Sequence, residues 1–320
     1  MRIGWTIGAL ALVLACSAAT PRVTAVTAQQ RYPWNGLVDI VVTLSGTSNE
    51  VADAGCAFAA TNSATRAALS VVHVTRNGTD TRSGAFWTRR YVWDAGVDLG
   101  TVRIADIALS AEAVGGVQLW QDGPYWAECN LGASTPEGYG YYFWWGDTKG
   151  FVRNASNNGW VSAVTGASFS FTDSICPTSG KSDSQLQSEG YIDATGNLVT
   201  KYDAATAHLG APWRMPTTAE FDALEKNCTA TWTTRNGVFG RLVTGQGAFS
   251  TRNIFLPAAG FGYISYLEEP GLTGYYWSAS PRSDYPHFAN CLYFTSDRYY
   301  RGSYVRSYGQ SVRPLREFVK

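Results

Sequence analysis

Between Tyr285 and Tyr308 the chain reads YPHFANCLYFTSDRYYRGSYVRSY, which gathers six of its eighteen tyrosines and three arginines, with Asp297 as the one acid and no lysine. Tyrosine gives a large rigid contact area and a hydroxyl at small entropic cost, arginine gives directional charge recognition, and Ser, Gly and Asn adapt between them. The chemistry this composition offers is binding. Stacking falls to Tyr285, Tyr299, Tyr300 and Tyr304, charge recognition to Arg298 and Arg301, and hydrogen bonding to Asn290 and Ser303. Asp284, His287, Phe288, Tyr293 and Ser307 complete the expected ligand surface. The competing reading is a structural, adhesin-like protein in which these rings pack inward from a pair of strands. Arg298-Tyr299-Tyr300-Arg301-Gly302-Ser303-Tyr304 lacks the clean period-two alternation of a half-buried strand, which favours a displayed loop held by Leu292 and Phe294.

Catalytic patterns are sparse elsewhere. Of the three histidines, His73 lies among apolar strand residues and His208 in the last turn of a short helix, where a cation complements the helix dipole. Both read as structural. Cys56, Cys129, Cys176, Cys228 and Cys291 show no CxxC or His/Cys spacing of a zinc site. No nucleophile elbow occurs. No catalytic residue, metal ligand or cofactor is assigned, and the chain is read as a non-enzyme. Glu268, Glu269 and Asp147 are acids that could bind calcium, against the commoner reading of surface acids as simply solvated.

The elements that must position the tyrosine-rich stretch follow from the totals. The 320 residues carry a formal charge of zero, and the basic residues are scattered, which argues against a nucleic-acid partner. Thirty-three glycines, 14% aromatic and 16% charged residues suit a β-rich, loop-rich protein outside the cytoplasm. Arg2 followed by the apolar run IGALALVLA reads as an export signal within residues 1–28. Two cleavage points compete: Val26-Thr27-Ala28, and Val13-Leu14-Ala15-Cys16, which would place a lipid anchor on Cys16 as the one membrane contact. The product is secreted or held at the cell surface. An oxidising compartment permits disulfides, and five cysteines leave at least one unpaired.

Residues 29–115 alternate in short strands, such as Val38, Ile40, Val42 and Leu44, and are expected to form a small β-sandwich whose last strand includes Val102, Ile104 and Ile107. Trp34 and Trp93 are read as core or edge-covering aromatics. Glu112 to Gly116 is placed as a flexible boundary, and residues 116–320 form the ligand-binding domain. There, 152–196 reads as long loop, Lys201 to Leu209 as a helix ended by Gly210, and Thr217-Thr218-Ala219-Glu220 as a capping box opening a helix through Lys226. Asn236-Gly237 signals a hairpin. Strands are expected at Asn253–Ala259, Tyr275–Ser278, Leu292–Phe294 and Ser311–Leu315, with Trp126, Trp213, Phe255 and Trp277 in the core.

Five blocks in order resemble a known family. Trp126-Ala127-Glu128-Cys129-Asn130-Leu131-Gly132-Ala133 with Tyr142-Phe143-Trp144-Trp145-Gly146-Asp147, then Trp213-Arg214-Met215-Pro216-Thr217, Ile254 to Gly260, Tyr275 to Ser280, and Ser311-Val312-Arg313-Pro314 are similar to C-type-lectin-like domains of bacterial surface proteins. The resemblance implies an α+β fold, a C-type-lectin-like domain with two short helices and one long irregular loop region. The opening RYPWNGLVDI resembles an immunoglobulin-like module, which implies a spacer. Gly309-Gln310-Ser311-Val312-Arg313-Pro314 resembles the motif that ends the rewritten segment in variable proteins of diversity-generating retroelements. An asparagine codon varied at its adenines reaches the residue types at Tyr285, His287, Phe288, Asn290, Cys291, Tyr293, Tyr299, Tyr300, Gly302 to Val305, Ser307 and Tyr308. Cys291 is then either a product of diversification or half of a lectin-type disulfide with Cys228 or Cys129. The function implied is an exported, receptor- or adhesin-type protein displaying a diversified Tyr/Arg surface to an unknown protein or glycan. The alternatives are a relative of the formylglycine-generating oxidases and a calcium-dependent glycan lectin. For the first the paired cysteines or two-histidine set are missing; for the second, Glu269-Pro270-Gly271 and Trp145-Gly146-Asp147 are incomplete versions of the calcium motifs.

Overall fold

A computed structural model describes residues 21–316, apart from 34, 47, 49–50, 52–53, 72, 101–105, 155 and 157. Cys16, Trp34, Val102 and Ile104 lie outside the described residues. Strands take 44% of the structure and helices 14%, in many small antiparallel sheets. The chain is therefore mainly β, and the α+β class expected above, which the resemblance to C-type-lectin-like domains implied, is corrected. The physical reason is length. The helices Ala95–Leu99, Asp183–Ser188, Ala204–Leu209 and Thr218–Asn227 run five to ten residues, which at 1.5 Å per residue is too short to build a helical layer.

The N-terminal half is organised on Leu37–Ser45, whose burial alternates along its whole length, with Val38, Ile40, Val42 and Leu44 wholly buried. It pairs with Arg22–Gln30 on one side and Phe86–Asp94 on the other, and the latter also carries Val74–Arg76 and Thr81–Ser83. Gly55–Asn62 pairs with Ala68–Leu69 and Ile107–Val114 in a second sheet. The two sheets share one core containing Tyr91, Trp93 and Cys56. Arg89, almost wholly buried, is neutralised by Asp80 at 2.6 Å and bonds the carbonyls of Val51 and Ala54. The strand Arg22–Gln30 contains residues 22–28, assigned above to the export signal. Ile107–Val114 occupies most of the segment expected as a flexible linker, and Gly115-Gly116 separates it from the strand Val117–Gln118.

Beyond it, Val117–Gln118, Tyr125–Trp126, Leu315–Arg316 and Trp213–Arg214 form a four-stranded sheet that closes the chain's end onto its middle. Arg313 is fully buried and joins the segments singled out by the resemblance. It donates to Asn130 Oδ1 at 3.0 Å and to the carbonyls of Ala127 at 3.0 Å, Glu128, and Phe255 at 2.8 Å. Trp145 Nε1 donates to the Ser278 carbonyl at 2.9 Å and Trp277 Nε1 to that of Phe143 at 2.7 Å, a reciprocal tie between two wholly buried indoles. Trp126, Phe255 and Trp277 are core, as expected, while Trp213 is half-buried beside the Arg316 guanidinium. The hairpin Cys228–Arg235 and Val238–Gly245 turns at Asn236 (φ 49°) and Gly237 (φ 82°), the left-handed pair a type I′ turn requires.

Residues 152–196, expected as loop, hold the small sheet Phe151–Arg153, Trp160–Ser162 and Ser168–Phe169 and the helix Asp183–Ser188. That helix is opened by a Ser182/Gln185 capping box. The helix at Lys201 instead begins at Ala204, because Asp203 caps it by accepting the Thr206 amide. The Thr217 capping box forms as expected: Thr217 Oγ1 accepts the Glu220 amide, and Glu220 accepts the Thr217 amide at 2.8 Å. Thr217→Ala should cost about 1 kcal/mol, read as a lower urea midpoint at unchanged slope.

Candidate functional site

The site rests on the antiparallel sheet Gly274–Pro281, Phe288–Phe294 and Tyr299–Val305. Residues 298–304, expected as a displayed loop, thus lie mostly in a strand, paired in register from Phe288↔Val305 to Phe294↔Tyr299. Alternation was hidden because both faces carry polar-tipped side chains. Tyr299, Arg301 and Ser303 fall on one face, and Tyr300, Gly302 and Tyr304 on the other. The hairpin leading into this strand is clamped by Arg241, whose guanidinium donates to the carbonyls of Thr295, Ser296 and Arg298.

On one face the register places Tyr275, Tyr293 and Tyr300 in a row across the three strands, and Cys291 opposite Gly302. The rings are in contact. Centroids are 5.3 Å apart for Tyr300–Tyr293, 5.0 Å for Tyr293–Tyr275 and 4.7 Å for Tyr275–Tyr304. The series continues through Tyr308 at 5.4 Å to Tyr263 at 4.8 Å, with Phe261 stacked on Tyr308. Burial raises the hydroxyl pKa values of Tyr275, Tyr293 and Tyr304, so these phenols stay protonated donors at neutral pH. Burial likewise pushes the Cys291 thiol well up, which leaves no thiolate there for nucleophilic chemistry.

The strand edge and the turn after Pro281 enclose a groove of about 810 Å³. Seven of the expected ligand residues line it: Asp284, Asn290, Tyr293, Tyr300, Arg301, Ser303 and Tyr304. The two arginines are already paired. Arg282 donates to both Asp284 oxygens and, at 2.7 Å, to Ser303 Oγ, while Arg301 Nε meets Asp222 Oδ1 at 2.9 Å on the helix Thr218–Asn227. The Arg282 hydrogen bond holds the Asp284 carboxyl below the usual carboxylate range. Asn290 Nδ2 donates to the Pro281 carbonyl at 2.7 Å and ties the groove wall to the middle strand.

The other expected residues lie elsewhere. Tyr285 is exposed beneath the Arg282 guanidinium and packs on the half-buried Phe288. His287 Nδ1 pairs with Ser179 Oγ at 3.1 Å, and its ring lies over Gly180. Arg298 is exposed in the hairpin turn. Tyr299 and Ser307 are corrected: the Tyr299 ring turns inward against Phe294 and Arg241, and Ser307 is 2% exposed, so neither presents itself to a ligand. The sequence reading missed Arg282, Ser283 and Tyr275, all groove-lining. The Pro281-Arg282-Ser283-Asp284 turn was a readable signal for the first two; Tyr275 carried none, since it sits in an expected strand of which Trp277 alone was given a place, in the core. Cys228 and Cys291 are free buried thiols, so the lectin-type disulfide considered for Cys291 is not formed. Cys129 is disulfide-bonded, and Cys56 and Cys176 are likewise free buried thiols. Among the described residues no group of three His, Cys, Asp or Glu is placed to hold a metal ion.

No family model matches the chain, and neither a curated protein nor a solved structure is detectably similar to it.

Proposed function

We propose that the protein is an exported, receptor- or adhesin-type binder whose ligand occupies the groove beside Tyr299–Val305. The observation that carries this is the convergence of Tyr275, Tyr293, Tyr300 and Tyr304 on one groove with Arg282, Arg301, Asn290 and Ser303 at its rim. Contacting rings form a rigid, amphipathic floor of the kind that supplies binding energy at low entropic cost, and the rim supplies orientation. Binding is favoured over catalysis because the groove contains no histidine or lysine, and its one thiol is held protonated by burial. Export is proposed with processing before Arg22, since cleavage after Ala28 would leave two residues of the strand Arg22–Gln30.

Retroelement diversification is part of the same proposal, restricted by burial. Tyr285, Asn290, Tyr293, Tyr300, Gly302, Ser303 and Tyr304 reach solvent and suit variation; Cys291 and Ser307 do not. A near-copy of the coding region for residues 278–314, differing at adenines and lying beside a reverse transcriptase, is the expected genomic signature.

The binding test is a combined glycan and peptide array probed with wild type and with the Tyr300→Ala/Arg301→Ala variant, with and without chelator. Both side chains are exposed, and the variant gives up one surface ion pair and one ring contact, so stability should change by no more than about 1–2 kcal/mol. Wild type should bind a subset of spots regardless of chelator, at least about tenfold better than the variant. Equal binding by the two proteins would sink the groove reading, and chelator-sensitive binding would favour a calcium lectin.

A further inference from the structure

The groove is lined by five consecutive residues of one strand, Tyr300 to Tyr304. Because side chains alternate between the faces of a sheet, a cavity on a single face touches only every second residue. This groove therefore takes in the outer edge of the strand itself. Among the described residues, the backbone of Tyr299–Tyr304 bonds only to Phe288–Phe294. In an antiparallel pair the N–H and C=O of a residue turn to the same side, so alternate residues leave both groups unbonded at the open edge. Of the usual protections of such an edge the strand keeps one charge, Arg301, already paired with Asp222; it holds no proline and no lysine, and its pairing to the middle strand has no bulge.

Resting on the reading of this groove as the ligand site, we propose that its ligand is an extended polypeptide segment that pairs with Tyr299–Val305 as a fourth strand. Gly302 supports this. Having no side chain, it keeps the strand low between Tyr300 and Tyr304, where even a Cβ would lie 3.3 Å from Tyr293 Cβ and 3.7 Å from the Tyr300 ring, so the apolar side chains of the added strand lie against the Tyr300 and Tyr304 rings on either side of it. On the other face the neighbouring side chain meets Arg301 and Ser303 and is polar. With Arg282 held by Asp284 and Arg301 by Asp222, the rim is close to neutral, which suits a segment of alternating apolar and polar residues with little net charge.

The experiment selects a phage-displayed library of random heptapeptides on the wild-type protein. One enriched peptide is then synthesised in three forms: unmodified, N-methylated at odd backbone nitrogens, and N-methylated at even ones. Strand addition uses the donors of alternate residues, so one methylated form should bind at least about tenfold more weakly and the other nearly as well as the parent. Tyr300→Ala should weaken the parent peptide. Equal binding of all three forms would overturn the proposal, because recognition would then be by side chains alone. A Tyr300-dependent glycan ligand with no peptide enriched would also overturn it while leaving the groove intact as a binding site. Failure of both ligand classes to show Tyr300-dependent binding would remove the groove reading as well. Self-association lost in Tyr300→Ala would assign the edge to a second copy and likewise overturn the proposal, since Tyr300 and Tyr304 would face each other in a pairing centred on Gly302.

Discussion

Arg313→Ala is expected to unfold the C-terminal half under conditions in which the wild type is fully folded, at a cost of about 3–5 kcal/mol. The guanidinium is wholly buried, and burial lowers its pKa to about 10 against the smaller opposing pull of Tyr276 and Glu128. Its charge is compensated by the carbonyls of Ala127, Glu128 and Phe255 and by Asn130 Oδ1. Truncation leaves Asn130 Oδ1 and the Phe255 carbonyl buried without a donor and strips one from the part-buried carbonyls of Ala127 and Glu128, and each buried unsatisfied group costs about 1–3 kcal/mol. Arg313→Lys should rescue only part of the loss, because an ammonium is a point charge and cannot reproduce the fork. Urea unfolding followed by tryptophan fluorescence would measure both, with Arg301→Ala as the control, whose half-exposed ion pair is worth under about 1 kcal/mol. A wild-type midpoint for Arg313→Ala would show that the clamp is not structural.

Cys291→Asp should be as damaging, and Tyr300→Asp close to neutral in stability, although both positions lie in the segment proposed to be rewritten and face the same groove. Cys291 is 1% exposed, packed with Trp277 and Ala289 beneath the tyrosine row. A carboxylate there is buried without a cationic partner and should cost several kcal/mol, on the order of 3–5. Tyr300 is 42% exposed, so an acid in its place stays solvated. Comparing soluble yield and thermal midpoint of the two variants separates positions that can be varied for binding from positions that cannot. Similar tolerance at both would contradict the burial limit placed on diversification.

Legibility differed by element for identifiable reasons. The capping box at Thr217/Glu220, the Asn236-Gly237 turn and the alternation of Val38 to Leu44 depend on residues within about nine positions of one another, and the structure carries all three. The strand Tyr299–Val305 was missed because period two is visible only when one face is apolar and the other polar, and here both faces are mixed. Residues 152–196 were read as loop because their strands have two or three residues, too few to display a period. The α+β expectation failed because it was carried by resemblance rather than by helical periodicity, of which the chain has one clear instance.

By itself the sequence determined that a Tyr/Arg-rich stretch near the end of the chain is the candidate binding surface, and that short strands dominate the N-terminal half. Both are properties of composition and local spacing. Tertiary structure alone decided which tyrosines converge. Tyr275 and Tyr300 meet through Tyr293 because three strands align them in register, Tyr299 turns inward because the pleat sends alternate side chains to opposite faces, and Arg282 reaches Ser303 across 21 residues. Strand register and the closing of long loops are settled by pairing and burial between distant segments, which no local pattern encodes.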